Sequence, residues 1–155
     1  MDITLIATAA MTLVGPYITK ASGKIAEKVG EDIWSNIKKV YTEDKEKELV
    51  KKVEENNVSK SDLIEIENLL TEHLSQEKEL VQLLKISMNI TPATEFILEN
   101  NLRIAEKIRN ELKSLYMERV DADVASVGSY NNRIVDLERK LKKIDEVIYK
   151  IITNQ

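Results

Sequence analysis

Between Ile3 and Thr19 the chain runs seventeen residues, ITLIATAAMTLVGPYIT, without a charge, although 32% of its 155 residues are charged. A helix built from that run is apolar almost all round. Thr4, Thr8 and Thr12 fall on one stripe at i,i+4 spacing, and Leu5, Ile6, Ala9, Ala10, Leu13 and Val14 cover the rest. Such a helix belongs either in an enclosed core or in lipid. A permanent span needs about 20 apolar residues, whereas this run is shorter, rich in Ala and Thr, and interrupted at Gly15–Pro16. A secretory signal places basic residues ahead of its apolar stretch, whereas here Asp2 precedes the run and Lys20 follows it. The expectation is a helix over Ile3–Val14, closed by Gly15 and Pro16, sheltered at rest and able to meet lipid once freed. Its membrane-inserting candidates are Ile3, Leu5, Ile6, Met11, Leu13 and Val14.

Composition removes most alternatives. With no cysteine there is no disulfide framework, thiolate zinc site or cysteine nucleophile. A single histidine, His73, argues against multi-histidine metal sites and most histidine-based catalysis. Four glycines and two prolines are a poor supply for the turns of an all-β fold. Twenty-three basic against 27 acidic residues give a net charge of −4, so nucleic acid is not an expected partner. The nucleophile-elbow, phosphate-loop and dinucleotide-binding patterns are all missing. A di-iron bundle needs Glu-x-x-His pairs, but Leu70 stands three residues before His73. His73 therefore reads as an exposed polar position late in its helix, and the chain as a non-enzyme with no cofactor and no metal site.

The remainder predicts helix after helix, an all-α single bundle of about six or seven. A second helix spans about Tyr17–Tyr41, with Ile18, Ile25, Val29, Ile33, Ile37 and Tyr41 at helical spacing. A charged surface helix follows over about Asp44–Asn56, anchored by Leu49, Val50 and Val53. Ser59 with Asp62 marks the next start, and Leu63, Ile66, Leu69, Leu70 and Leu74 line that helix. Ser75 reads as another N-cap, for a helix ending near Met88. Thr91–Pro92 is the clearest start signal of all. It opens a helix to about Val120, with Ile97, Ile104, Ile108, Leu112 and Leu115 expected to face inward. Residues 121–131 break the pattern, and a last helix begins near Asn132. There Ile134, Leu137, Leu141, Ile144, Ile148 and Ile151 step by 3, 4, 3, 4 and 3, an unbroken heptad seam. The expected division is residues 1–120 as the bundle and 121–155 as a loop plus heptad helix. That helix either folds back as a hairpin or forms a coiled coil in a homo-oligomer.

Two further segments stand out. Lys20, Lys24 and Lys28 make a basic stripe just past the apolar run. Beside an anionic membrane each would contribute about 1 kcal/mol through lipid headgroups, while on a soluble protein Glu27, Glu31 and Asp32 would balance them. Val124–Ile134, VASVGSYNNRI, is uncharged as far as Asn132. It reads either as a turn or as a stacking strand. It resembles the RIP homotypic interaction motif at Val127, Gly128, Tyr130 and Asn131, with Ser126 in place of glutamine and Ala125 in place of a larger aliphatic.

Taken together, ITLIATAAMTLVGPYITKA, then GKIAEKVGEDIWSNIKKVY with its Gly-x-x-x-Trp, then a charged helix, resemble the membrane-active helical domains of bacterial Bell and fungal HeLo proteins over residues 1–90. The resemblance implies a pore-forming or membrane-disrupting effector of prokaryotic immunity or regulated cell death, cytoplasmic at rest and membrane-associated when active. A signalling protein or self-assembly would free the first helix. The alternative is a soluble adaptor that oligomerises through its heptads.

Overall fold

A computed structural model of the chain describes residues 1–20 and 24–153, with side chains from residue 28 onward in the second stretch. Its described residues form seven α-helices and no strand. They are α1 (Ile3–Ile18), α2 (Lys24–Val40), α3 (Asp44–Glu54), α4 (Lys60–Gln76), α5 (Lys78–Ser87), α6 (Pro92–Asp121) and α7 (Val124–Thr153).

The apolar run becomes the hub of the bundle. Asp2 caps α1 by accepting from the Leu5 amide at 3.0 Å, and α1 then packs on α2, α4, α5, α6 and α7. It continues to Ile18 instead of closing at Gly15–Pro16. Pro16 lacks the donor that would serve the Thr12 carbonyl, but it sits in the last turn and so costs one bond rather than a ladder. Burial of Ile18 to 2% exposure favours that extra turn. The helix stops at Lys20, which adopts the left-handed conformation with φ 58°. Ile18, expected to open the second helix, thus belongs to the first. Ile25 lies outside the described side chains. Ile33, Trp34 and Ile37 of α2, with Tyr41 just beyond it, enter the core.

Gly30 explains how α1 and α2 approach so closely. A Cβ there would come within 2.6 Å of the Tyr17 Cβ and 2.9 Å of the Leu13 carbonyl oxygen, so only glycine fits without movement.

The later starts follow local chemistry. Ser59 accepts from the Asp62 amide at 3.1 Å, and the Asp62 carboxylate accepts from the Ser59 amide at 2.9 Å, a reciprocal cap. Thr91 caps α6 with Pro92 in its first turn. Ser75 does not start α5. It lies inside α4, where its hydroxyl donates to the Glu72 carbonyl at 2.6 Å, and Glu77 separates the two helices.

α6 and α7 form a long antiparallel hairpin, each of 30 residues and so about 45 Å long. The break between them is two residues, Ala122 and Asp123, not the loop expected over 121–131. Asp123 caps α7 by accepting from the Ser126 amide at 2.9 Å, and Val124–Ile134 is helical rather than a turn or strand. The inward face of α6 also differs. Leu98, Leu102, Ala105 and Leu112 are buried, while Ile97 and Ile104 point outward at 54% and 48% exposure. The half of α6 near Pro92 packs on the bundle. The far half packs only on α7, through a separate small cluster of Leu112, Ile134 and Leu137 flanked by Ile108, Leu115, Tyr116 and Leu141.

Candidate functional site

Burial around α1 is nearly complete. Leu5, Ile6, Leu13 and Val14 are exposed by 2% or less, and Ile3 and Met11 are partly buried against the core. The stripe of hydroxyls is satisfied along the helix itself: Thr8 donates to the Thr4 carbonyl at 3.0 Å and Thr12 to that of Thr8 at 2.9 Å. Thr8 Oγ1 also lies 3.2 Å from Glu67 Oε1, and Arg109 Nη2 donates to Thr12 at 3.4 Å.

Thr8 is itself buried, and beyond it the other helices leave Met11, Thr12, Gly15 and Pro16 half-covered. Thr8, Met11, Thr12, Gly15 and Pro16 floor a cleft of about 950 Å³. One wall is α4, with Lys60, Leu63, Ile64 and Glu67. The other is α7, from Glu138 and Leu141 to Asp145, Tyr149 and Lys150, and Arg109 of α6 joins it. Arg109 Nη2 donates to Asp145 Oδ1 at 2.9 Å, while Arg109 Nη1 is buried without a hydrogen-bond partner. Burial raises the Asp145 carboxyl above its usual range, and Arg109 opposes that shift. The cleft can enclose an elongated apolar body and offer charged groups at its margin. It brings no nucleophile together with a base. Among the described residues no three His, Cys, Asp or Glu side chains group as they would around a metal ion.

The basic stripe is not continuous. Lys20 sits in the corner after α1, with its ammonium 5.2 Å from the Tyr17 ring centroid, and Lys28 is exposed on α2. The Lys24 side chain lies outside the described residues. The helix break at Lys20 prevents the three from sharing one helical face. Among the described residues no helix is long and apolar enough to cross a membrane.

The heptad seam is consumed within the chain. Ile134 and Leu137 face Leu112, Ile148 enters the main core, and Leu141, Ile144 and Ile151 pack, partly buried, against that core. Ile152, outside the heptad, is buried as well.

His73 departs furthest from its expected exposed position. Its side chain is 20% exposed and held between two carboxylates, with Nε2 2.5 Å from Glu46 and Nδ1 3.0 Å from Glu77. It also stacks on Tyr41 at 5.5 Å. Desolvation pushes the imidazole pKa down, but the bonds and charges of Glu46 and Glu77 outweigh it and raise the value above normal. Tyr41 donates to the Ile66 carbonyl at 2.5 Å, and burial, then the charges of Glu46 and Glu72, push its phenol far up. Glu46, inside a helix of charges, gave no sequence signal of its burial. The i,i+4 spacing of His73 and Glu77 was the one available clue.

A scan against protein-family models, a search of curated proteins and a search of solved structures each gave no match.

Proposed function

We propose that the chain is a non-enzymatic, membrane-disrupting helical effector whose α1 is sheltered at rest and transferred to lipid on activation. The observation that carries this reading is the helix itself: nine of its sixteen residues are buried, Thr8 of the hydroxyl stripe among them. Burial of Leu5, Ile6, Leu13, Val14 and Ile18 contributes about 1.5–3 kcal/mol each, a sum comparable with the whole stability of a domain. Release of α1 into water would dissolve the core, so α1 leaves only for another apolar medium. At 16 residues it is about 24 Å long, shorter than the roughly 30 Å hydrocarbon layer. It would therefore seat in one leaflet and perturb it, rather than span as a pore wall. The resemblance of residues 1–90 to Bell and HeLo domains is consistent with such an activity in prokaryotic immunity or regulated cell death. Lys20 and Lys28 would meet anionic headgroups at the corner after α1.

The test exploits the absence of cysteine. A single Thr4→Cys, at an exposed position of α1, carries a polarity-sensitive fluorophore without disturbing the core. On addition of vesicles containing phosphatidylglycerol the label's emission should move to shorter wavelength while the vesicles leak. Leakage with no change in the label, or no leakage with wild type, overturns the proposal.

A second reading, a soluble helical adaptor, draws on the far end of the hairpin. There Met117, Val120 and Val124 are exposed by 65%, 82% and 94% around the α6–α7 connection. Sedimentation of the intact chain would favour it if the protein assembles without lipid and never causes leakage.

A further inference from the structure

We propose that His73 is a proton-controlled latch at the corner between α4 and α5: protonated on both ring nitrogens it bridges Glu46 and Glu77, and on losing one proton it keeps Glu46 and releases Glu77. This inference is independent of whether α1 ever leaves the bundle. The geometry requires the first state. Nε2 lies 2.5 Å from Glu46 Oε2 and Nδ1 3.0 Å from Glu77 Oε1, so each nitrogen faces a carboxylate oxygen, which can only accept. A neutral imidazole carries a single N–H and can serve one of the two.

Burial decides which partner is kept. The Glu46 side chain is 3% exposed, and its other oxygen, Oε1, already accepts from the Glu43 amide at 3.2 Å. Without a donor from His73 it would be a buried carboxylate left uncompensated, which is costly. Glu77 is 42% exposed and can turn to water. The neutral ring therefore keeps its proton on Nε2. Glu77 is the single residue between α4 and α5, extended at φ −119° and ψ 94°. It stands at the N-cap of α5, yet its side chain makes no cap there, because the carboxylate is committed to His73. Once freed, that carboxylate adjoins the uncapped first-turn amides of α5, where a helix favours negative charge. One proton thus moves Glu77 from the end of α4 to the start of α5.

The charges acting on the ring are those of Glu46 and Glu77. Tyr41, stacked on it, donates to the Ile66 carbonyl. Glu72 acts on Tyr41 and on Lys45 of α3, and Lys45 pairs with Glu65 at 2.6 Å. α1 carries no charged residue, and Lys78 and Glu79 of α5 are exposed.

His73 is the sole histidine, so imidazole nitrogen resonances of the intact, nitrogen-15-labelled protein report on it alone as pH is raised. The midpoint should lie above the ordinary value of about 6.5. Nδ1 should lose its proton while Nε2 keeps one, and the amide resonances of residues 78–80 should follow the same midpoint. In Glu77→Gln, at a partly exposed position, the side-chain amide accepts from protonated Nδ1 and donates to the bare one, so the contact holds in both states. That variant should titrate at a lower midpoint, and the amides of residues 78–80 should no longer follow the ring. Loss of the proton from Nε2 instead, or a wild-type midpoint at or below the ordinary value, overturns the latch. So do α5 amides that ignore the ring in wild type or follow it equally in Glu77→Gln.

Discussion

The two ends of the α6–α7 hairpin are built from similar residues and held by different means. Near Pro92 the hairpin shares the core organised by α1, where Leu98, Leu102, Ala105 and Ile148 are sealed at 0% exposure. Far from it, the same two helices have only each other. Three buried side chains make that cluster, and polar pairs flank it: Arg133 with Glu111, Tyr116 with Glu138, and Arg119 with Asn131. Burial on several sides couples a residue to the whole fold, whereas burial on one side couples it to a local opening reaction. The bundle end should therefore fail all at once and the far end piecemeal.

Truncation gives the largest contrast. Leu5→Ala, at a site 1% exposed, should cost about 2–5 kcal/mol in denaturant unfolding. Leu112→Ala in the far cluster should fall at or below about 2 kcal/mol and speed hydrogen exchange over residues 106–139 while the α1 amides stay protected. Equal global losses would make the hairpin one cooperative piece with the bundle.

The glycines separate the regions by sign. Gly30→Ala should destabilise by about 1–3 kcal/mol, because the new Cβ meets Tyr17 and Leu13. Gly128→Ala, on a helix with nothing within 4 Å, should stabilise by about 0.5–1 kcal/mol, through lower backbone entropy of the unfolded chain. A Tm shift of the same sign for both would remove the close packing assigned to Gly30.

A smaller, pH-dependent effect is expected where His73 ties α3 to the α4–α5 junction. Its folded pKa is raised. Its contribution is therefore complete below the unfolded value of about 6.5 and lost as pH rises through the folded value. The Tm gap between wild type and His73→Gln should be widest near pH 6 and close on the alkaline side. A gap independent of pH would mean that the ring contributes packing alone. Smallest of all is Arg133→Ala, which removes an exposed pair with Glu111. It should cost less than about 0.5 kcal/mol, and less again in high salt.

Much of this architecture is written in short-range signals. The reciprocal cap at Ser59–Asp62, the Thr91–Pro92 start and the 3–4 spacing from Ile134 to Ile151 each act within about one helical turn, so the residues suffice to read them. The uncharged run announced a helix needing shelter, and nine of the sixteen residues of α1 are buried. The cleft was only half legible: the Thr4–Thr8–Thr12 stripe was visible, but not that Thr8 would be buried while Met11, Thr12, Gly15 and Pro16 stayed half-covered.

The remainder turns on which faces meet. α6 carries two usable apolar stripes, Ile97–Ile104–Ile108–Leu115 and Leu98–Leu102–Ala105–Leu112, and nothing local ranks them. Packing on α1 selected the second for the near half. Pro16 and Gly128 carry local costs of a few kcal/mol or less. α1 continues past Pro16 because Ile18 is buried, and α7 begins at Val124, capped by Asp123, although its first turns contain Gly128. Glu46 and His73, 27 residues apart on the consecutive helices α3 and α4, became a pair because those helices pack together. Propensity and capping are properties of neighbours along the chain. Burial, and hence register and charge pairing, belongs to neighbours in space.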